Sequence, residues 1–269
     1  MKTRSFFLFS CMVLAISAHS QFYTRISFGG GLGFPVYGKT WDTRANSYNN
    51  FTTTVNNISY GNGIAGSISV GYFFNKYIGL DFSIREFYCF KFHTWQYIDS
   101  TMQTQSKQIN SGQILQVIPS IVLTPGFTKI NPYLRVGIIV GVLPTLTSEY
   151  YQETTDGELI NKYKYHGGIA IGFCGSGGVD FKLSKLIKLF AELEGNLISY
   201  SPNKRSMTKL TEYGKDIDLS TIKVKYKETI YVKSLNSEDN KSLDQPGKDL
   251  RMSYSFNNFM LNLGIKFTF

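Results

Sequence analysis

Residues 259–269 read Phe-Met-Leu-Asn-Leu-Gly-Ile-Lys-Phe-Thr-Phe. Side chains of an extended chain point alternately to opposite faces. Phe259, Leu261, Leu263, Ile265, Phe267 and Phe269 therefore share one face, and Met260, Asn262, Gly264, Lys266 and Thr268 the other. The first face is wholly apolar, the second mostly small or polar. The same division recurs at the start of the chain, where Phe22, Ile26, Phe28, Leu32 and Phe34 oppose Tyr23, Arg25, Ser27, Gly29, Gly31 and Gly33.

Six more segments follow this rule. In 63–74, Ile64, Ile68, Val70, Tyr72 and Phe74 oppose Ala65, Ser67, Ser69 and Gly71. In 77–90, Ile78, Leu80, Phe82, Ile84, Tyr88 and Phe90 oppose Gly79, Asp81, Ser83 and Arg85. The pattern is weakest in 112–124, where Leu115, Val117, Ile121 and Leu123 share a face but Ile118 and Val122 take the other. In 132–143, Leu134, Val136, Ile138, Val140 and Val142 oppose Tyr133, Arg135, Gly137 and Gly141. In 167–183, Ile169, Ile171, Phe173, Val179 and Phe181 oppose Gly168, Ala170, Gly172, Cys174, Ser176, Gly178 and Asp180. In 187–200, Leu189, Ala191, Leu193 and Leu197 oppose Glu192, Glu194 and Asn196.

The connections alternate as well. Asn75-Lys76, 125–131 and 184–186 are short, whereas 35–62, 91–111, 144–166 and 201–258 are long and polar. An even number of alternating strands, with tight turns at one end and long loops at the other, predicts an all-β, eight-stranded antiparallel up-and-down transmembrane β-barrel. A soluble barrel would turn the apolar face inward. An eight-stranded barrel is too narrow for that many bulky side chains, and the opposite face is rich in glycine, serine and alanine that suit a cramped bore.

Charge points the same way. With the apolar face outward, Arg25, Asp81, Arg85, Arg135, Asp180, Lys182, Lys188, Glu192, Glu194 and Lys266 face the lumen. Turned outward, the basic ones would each cost about 2–4 kcal/mol near the bilayer midplane. Arg25, Asp81, Arg135, Asp180, Glu192 and Lys266 lie at similar distances from the short turns, so they are expected to form a belt of mutually neutralising ion pairs. Such a plug is the simplest use of buried charge, since an unpaired one is costly; a binding or gating site is the alternative. Glu86 alone faces outward, and its place high on its strand puts it above the hydrocarbon.

Composition closes off other classes. The 269 residues are 42% hydrophobic and only 17% charged, with 25 Gly and 7 Pro, which excludes a disordered polyelectrolyte or a collagen-like repeat. Lys2 and Arg4, the apolar run 6–16 and Ala18-His19-Ser20 have the layout of a cleaved signal peptide, residues 1–20. A lipoprotein box at Leu8-Phe9-Ser10-Cys11 fits less well, because it leaves too short an apolar core before the cysteine. Cleavage removes two cations and lowers the net charge from +9 to +7. Cys89 and Cys174 then remain. They sit in separate apolar segments, and two unpaired lumen thiols are expected rather than a disulfide scaffold.

These features resemble the eight-stranded outer-membrane β-barrels of Gram-negative bacteria, the OmpA-like and PorT-like families. The resemblance rests on the leader, the eight strands, the loop asymmetry, the terminal strand ending in Phe269, and the opening Gly29-Gly30-Gly31-Leu32-Gly33-Phe34. It implies a cell outer membrane location and insertion by the barrel-assembly machinery, with Phe269 as the assembly signal. No peptidoglycan-binding domain follows the barrel in this sequence, so a wall-tethering role is not carried over.

Catalytic and cofactor chemistry find little support. Some small outer-membrane barrels modify lipid A with a His, a Ser and a carboxylate. Here His93 and His166 sit at the tops of strands with Thr94, Glu149 and Glu158 nearby, but nothing in their spacing brings them together. No paired His or Cys spacing marks a metal site, and Asp216, Asp218 and Asp239 lack a calcium-loop pattern. Gly29–Gly33 precedes no helix, so it is no phosphate cradle. No enzyme activity and no cofactor are expected. The expected partners are outer-membrane lipid and lipopolysaccharide, whose phosphates loop cations can meet, and an extracellular or secretion-complex protein; nucleic acid is not expected. In the 201–258 loop, Ile222–Lys227 alternates and is expected to form a hairpin with Arg251–Phe256.

Overall fold

A computed structural model describes residues 22–34, 39–47, 50–57, 59–99, 104–154, 157–237 and 239–269. The leader, residues 1–20, lies outside the described residues. Eight strands form the barrel: β1 Phe22–Gly33, β2 Gly63–Phe73, β3 Ile78–Asp99, β4 Thr104–Leu123, β5 Ile130–Thr154, β6 Ala170–Lys182, β7 Ile187–Tyr200 and β8 Asn258–Thr268. Each pairs antiparallel with its neighbour in sequence. The pairing of β8 with β1, from Tyr23–Thr268 to Gly33–Asn258, closes the ring. Closure matters physically, because lipid offers no water to an unpaired strand edge.

The faces are those of an apolar-out barrel. Ile138, Phe173 and Leu261 are 49%, 63% and 51% exposed, while Arg135 and Glu192 are 4% and 2% exposed. Ile118 and Val122, which break the alternation of β4, point inward and are buried.

The long connections depart from the sequence reading. Residues 91–111 and 144–166 are mostly strand. β3, β4 and β5 run for 22, 20 and 25 residues, where about 9–11 cross a bilayer. Beyond the barrel they form a wall, widened by Gly157–His166 on β5, then Lys204–Glu212, Glu228–Val232 and Gly247–Leu250. On the other side Lys39–Ser47 pairs with the end of β3, and Asn50–Asn57 with Lys39–Ser47, so the 35–62 connection also holds strand. These wall strands carry polar residues on both faces, so they lack the hydrophobic alternation by which a strand is read. The expected hairpin of Ile222–Lys227 with Arg251–Phe256 is absent. Val224–Lys227 is a helical turn, and Tyr254–Ser255 pairs instead with Ser199–Tyr200.

A bulge separates barrel from wall. Leu143 has φ +51° and is exposed, and the β4–β5 register slips between Gln113 and Leu115. The extra residue exchanges the faces of β5, so Gly141 is inward before it and Leu146 after it.

Candidate functional site

Eight charged residues are buried among the described residues, and they are the eight with the deepest lumen positions: Arg25, Asp81, Arg85, Arg135, Asp180, Glu192, Glu194 and Lys266. Four are cations and four carboxylates, so the bore is neutral. Period-two geometry brings them together, since each occupies an inward position and neighbouring strands place those positions at matching heights. Lys182 and Lys188 lie outside this set, exposed and half-buried respectively at the short-turn mouth.

Arg135 is the hub. Its Nη2 lies 2.6 Å from Glu192 Oε1 and 2.7 Å from Glu194 Oε2, and its Nη1 lies 3.4 Å from Asp81 Oδ1. The same guanidinium donates to Ser83 Oγ and Ser176 Oγ. Arg25 reaches Glu192 at 3.0 Å and stacks over the Phe190 ring at 4.0 Å. Arg85 Nη2 donates to Glu194 Oε2 at 2.7 Å, and its Nη1 lies 2.6 Å from Oε1 as an ion pair without a hydrogen bond. Charge-assisted, multidentate contacts of this kind are the strong class of hydrogen bond. Lys266 and Asp180 form a separate pair at 2.9 Å rather than joining the arginine cluster, so the belt has two parts.

Below the arginines, aromatic rings seal the short-turn end. Tyr23 donates to Asp81 Oδ2 at 2.9 Å, and its ring lies 4.2 Å from Lys266 Nζ. Three inward rings lie over the glycine directly across from them: Tyr23 over Gly71, Tyr133 over Gly178, and Phe190 over Gly264. A Cβ at Gly71 would come within 2.1 Å of the Tyr23 ring. Glycine is required here because any side chain would evict the ring.

The upper bore differs from the polar lumen that alternation predicts. Phe87, Ile114, Ile118, Ile139, Ile198 and Met260 fill it, and Phe256 and Tyr60 cap it from the loops. Tyr200 donates to the carbonyls of Pro144 and Gly167, tying the cap to the rim. The sequence signal was present in the doublets Ile138-Ile139 and Leu197-Ile198, where both faces are apolar. Cys89 and Cys174 are free and buried in this layer.

The histidine candidates are not assembled. His93 is exposed on β3, and Thr94 is engaged by Asn110 and the Gln108 carbonyl. Glu149 is held by Lys162 at 2.5 Å and by Tyr151 at 2.7 Å, while Glu158 is exposed near the wall's far end. Partial burial and the neighbouring charges of Lys164 and Lys204 hold the His166 imidazole below its ordinary range. Among the described residues no group of three His, Cys, Asp or Glu side chains could hold a metal ion. Asp216, Asp218 and Asp239 are engaged locally, by Lys209, by Ser220 and by Lys248.

Burial raises the Glu149 carboxyl, but hydrogen bonds from Lys162 and Tyr151 outweigh it and hold the group below the usual carboxylate range. A depressed folded pKa contributes stability above the unfolded value of about 4.3, and that contribution is lost as pH falls through the folded value. Protease protection of the wall is therefore expected to fall below about pH 4 in the wild type and to lose that acid step in Glu149→Gln.

Closed ring, apolar exterior and filled bore together define an eight-stranded transmembrane β-barrel. Among solved structures, the chain is similar to Neisserial surface protein A, at 13% identity and a TM-score of 0.35, covering 92% of this chain and 97% of that one. It is also similar to Ail, the attachment invasion locus protein of Yersinia pestis, at 8% identity and a TM-score of 0.34, covering 93% and 99%. No protein-family model and no curated protein matches the sequence.

Proposed function

We propose that this protein is an integral outer-membrane barrel of the OmpA-like or PorT-like kind, exported by residues 1–20, with a structural or surface-interaction role and no catalysis. The observation that carries the reading is the pairing of a blocked bore with an oversized wall. The neutral arginine cluster and the apolar layer above it leave the lumen to side chains, so transport is not its use. The surplus length of β3, β4 and β5 builds a polar surface beyond the bilayer instead. That surface favours a second form of the same reading, an accessory module binding a partner protein of an adhesion or secretion complex through its wall.

Fractionation with electrophoresis before and after boiling tests the location: a heat-shifted band in the outer-membrane fraction is expected, and its absence counts against it. In planar bilayers the purified protein is expected to show no stable, large conductance. Pull-down from detergent-solubilised membranes separates the two forms, because a structural barrel brings down no stoichiometric partner. A lipid A-modifying activity would require His93→Ala or His166→Ala to change the lipid A profile, and neither is expected to. Phe269→Ala is expected to lower the heat-shifted barrel in cells while leaving refolding of purified chain intact.

A further inference from the structure

Glu86 does not stand above the apolar band. Tyr88 and Phe90, about half exposed, continue the outward row of β3 beyond it. With strands rising about 3.3 Å per residue at a tilt near 40°, Glu86 lies roughly 20 Å above Ile78, inside an apolar band about 25 Å tall. Its carboxylate has no ion pair or hydrogen bond among the described residues. It lines the junction of two outward troughs, about 960 Å³ above and 510 Å³ below, which also share Phe28 and Gly66. Outward-facing glycines form the floor, and a Cβ at Gly30 would meet nothing within 4 Å.

We propose that this trough binds a membrane lipid whose acyl chain carries an amide N–H or hydroxyl at its root, with Glu86 accepting from that donor. An unpartnered carboxylate facing hydrocarbon is costly, and one donor at its depth relieves the cost. That depth matches the root of an acyl chain rather than its tail, and the glycine floor gives the chain a track. A second copy is a poor occupant. No outward cation lies on the described barrel strands between the short turns and Phe90, so a symmetric contact would set Glu86 against Glu86.

The site rests on the proposed membrane position of the barrel. The test is native mass spectrometry of the full chain in detergent micelles, with dihydroceramide or with phosphatidylcholine of equal chain length, which has no N–H or O–H donor. Wild type is expected to retain one dihydroceramide with about tenfold preference, the worth of one hydrogen bond to a charged group. Glu86→Leu should abolish the preference, and Gly30→Leu, which puts a branched side chain on the trough floor from a position whose Cβ meets nothing, should abolish retention. Gly175→Leu, at an outward glycine equally open but without a carboxylate, should match wild type. Equal retention of both lipids by a heat-shifted wild type, unchanged preference in Glu86→Leu, unchanged retention in Gly30→Leu, or a dimer mass dissolved by Gly30→Leu overturns the site. Failure of the wild type to give a heat-shifted band counts instead against the membrane barrel.

Discussion

Arg135→Ala is expected to destabilise the barrel by about 3–5 kcal/mol, measured by urea titration in lipid vesicles with electrophoretic mobility as the readout. The substitution leaves Asp81, Glu192 and Glu194 clustered in a dry bore with only Arg25 and Arg85 to answer them. The loss is therefore more than one contact, because three carboxylates lose a shared cation. Arg135→Lys should recover little. A single ammonium cannot reproduce a fork whose Nη2 serves Glu192 and Glu194 while Nη1 serves Asp81. A peripheral replacement should behave differently. Changing Lys266 to Met and Asp180 to Leu together removes the pair that stands apart from the arginine cluster, and buried pairs replaced by apolar side chains of similar volume often lose nothing. If Arg135→Ala unfolds at wild-type urea, the cluster holds no such weight.

Gly71→Leu is expected to cost about 3 kcal/mol in the same titration, through overpacking against the Tyr23 ring and loss of the Tyr23–Asp81 hydrogen bond. The cost belongs to the ring and not to the strand. In a Tyr23→Ala background, Gly71→Leu should therefore be nearly neutral, and the double-mutant cycle should report coupling of most of the single-variant effect. Additive costs would show that the glycine serves the backbone alone.

Much of this architecture is legible in the chain before any folding. Strands β1, β2, β6, β7 and β8 match the alternating segments within a few residues, because each separates lipid from a crowded bore and the two environments demand opposite side chains. Arg25, Asp81, Arg135 and Glu192 are assignable to the lumen for the same reason. The wall strands are not legible in this way. Glu158–Tyr165 keeps partly exposed side chains on both faces, and the residues that Gln105–Ser111 buries, Ser106 and Asn110, are polar, so nothing in their order distinguishes strand from loop. The apolar upper bore was hidden for a related reason. Ile114, Ile139 and Ile198 face inward beside outward-facing neighbours that are equally apolar, so the alternation is masked where both environments are dry.

By itself, then, the sequence determined the eight strands of the barrel and the faces of those whose alternation is unbroken, because period two and the exclusion of charge from lipid act locally. Tertiary structure alone decided which charges meet, that Lys266–Asp180 stands apart from the arginine cluster, how high Glu86 rides, and that polar connections become a wall. Those outcomes depend on register between strands and on bulges such as that at Leu143, and register is set by pairing across the whole closed ring rather than by any one segment.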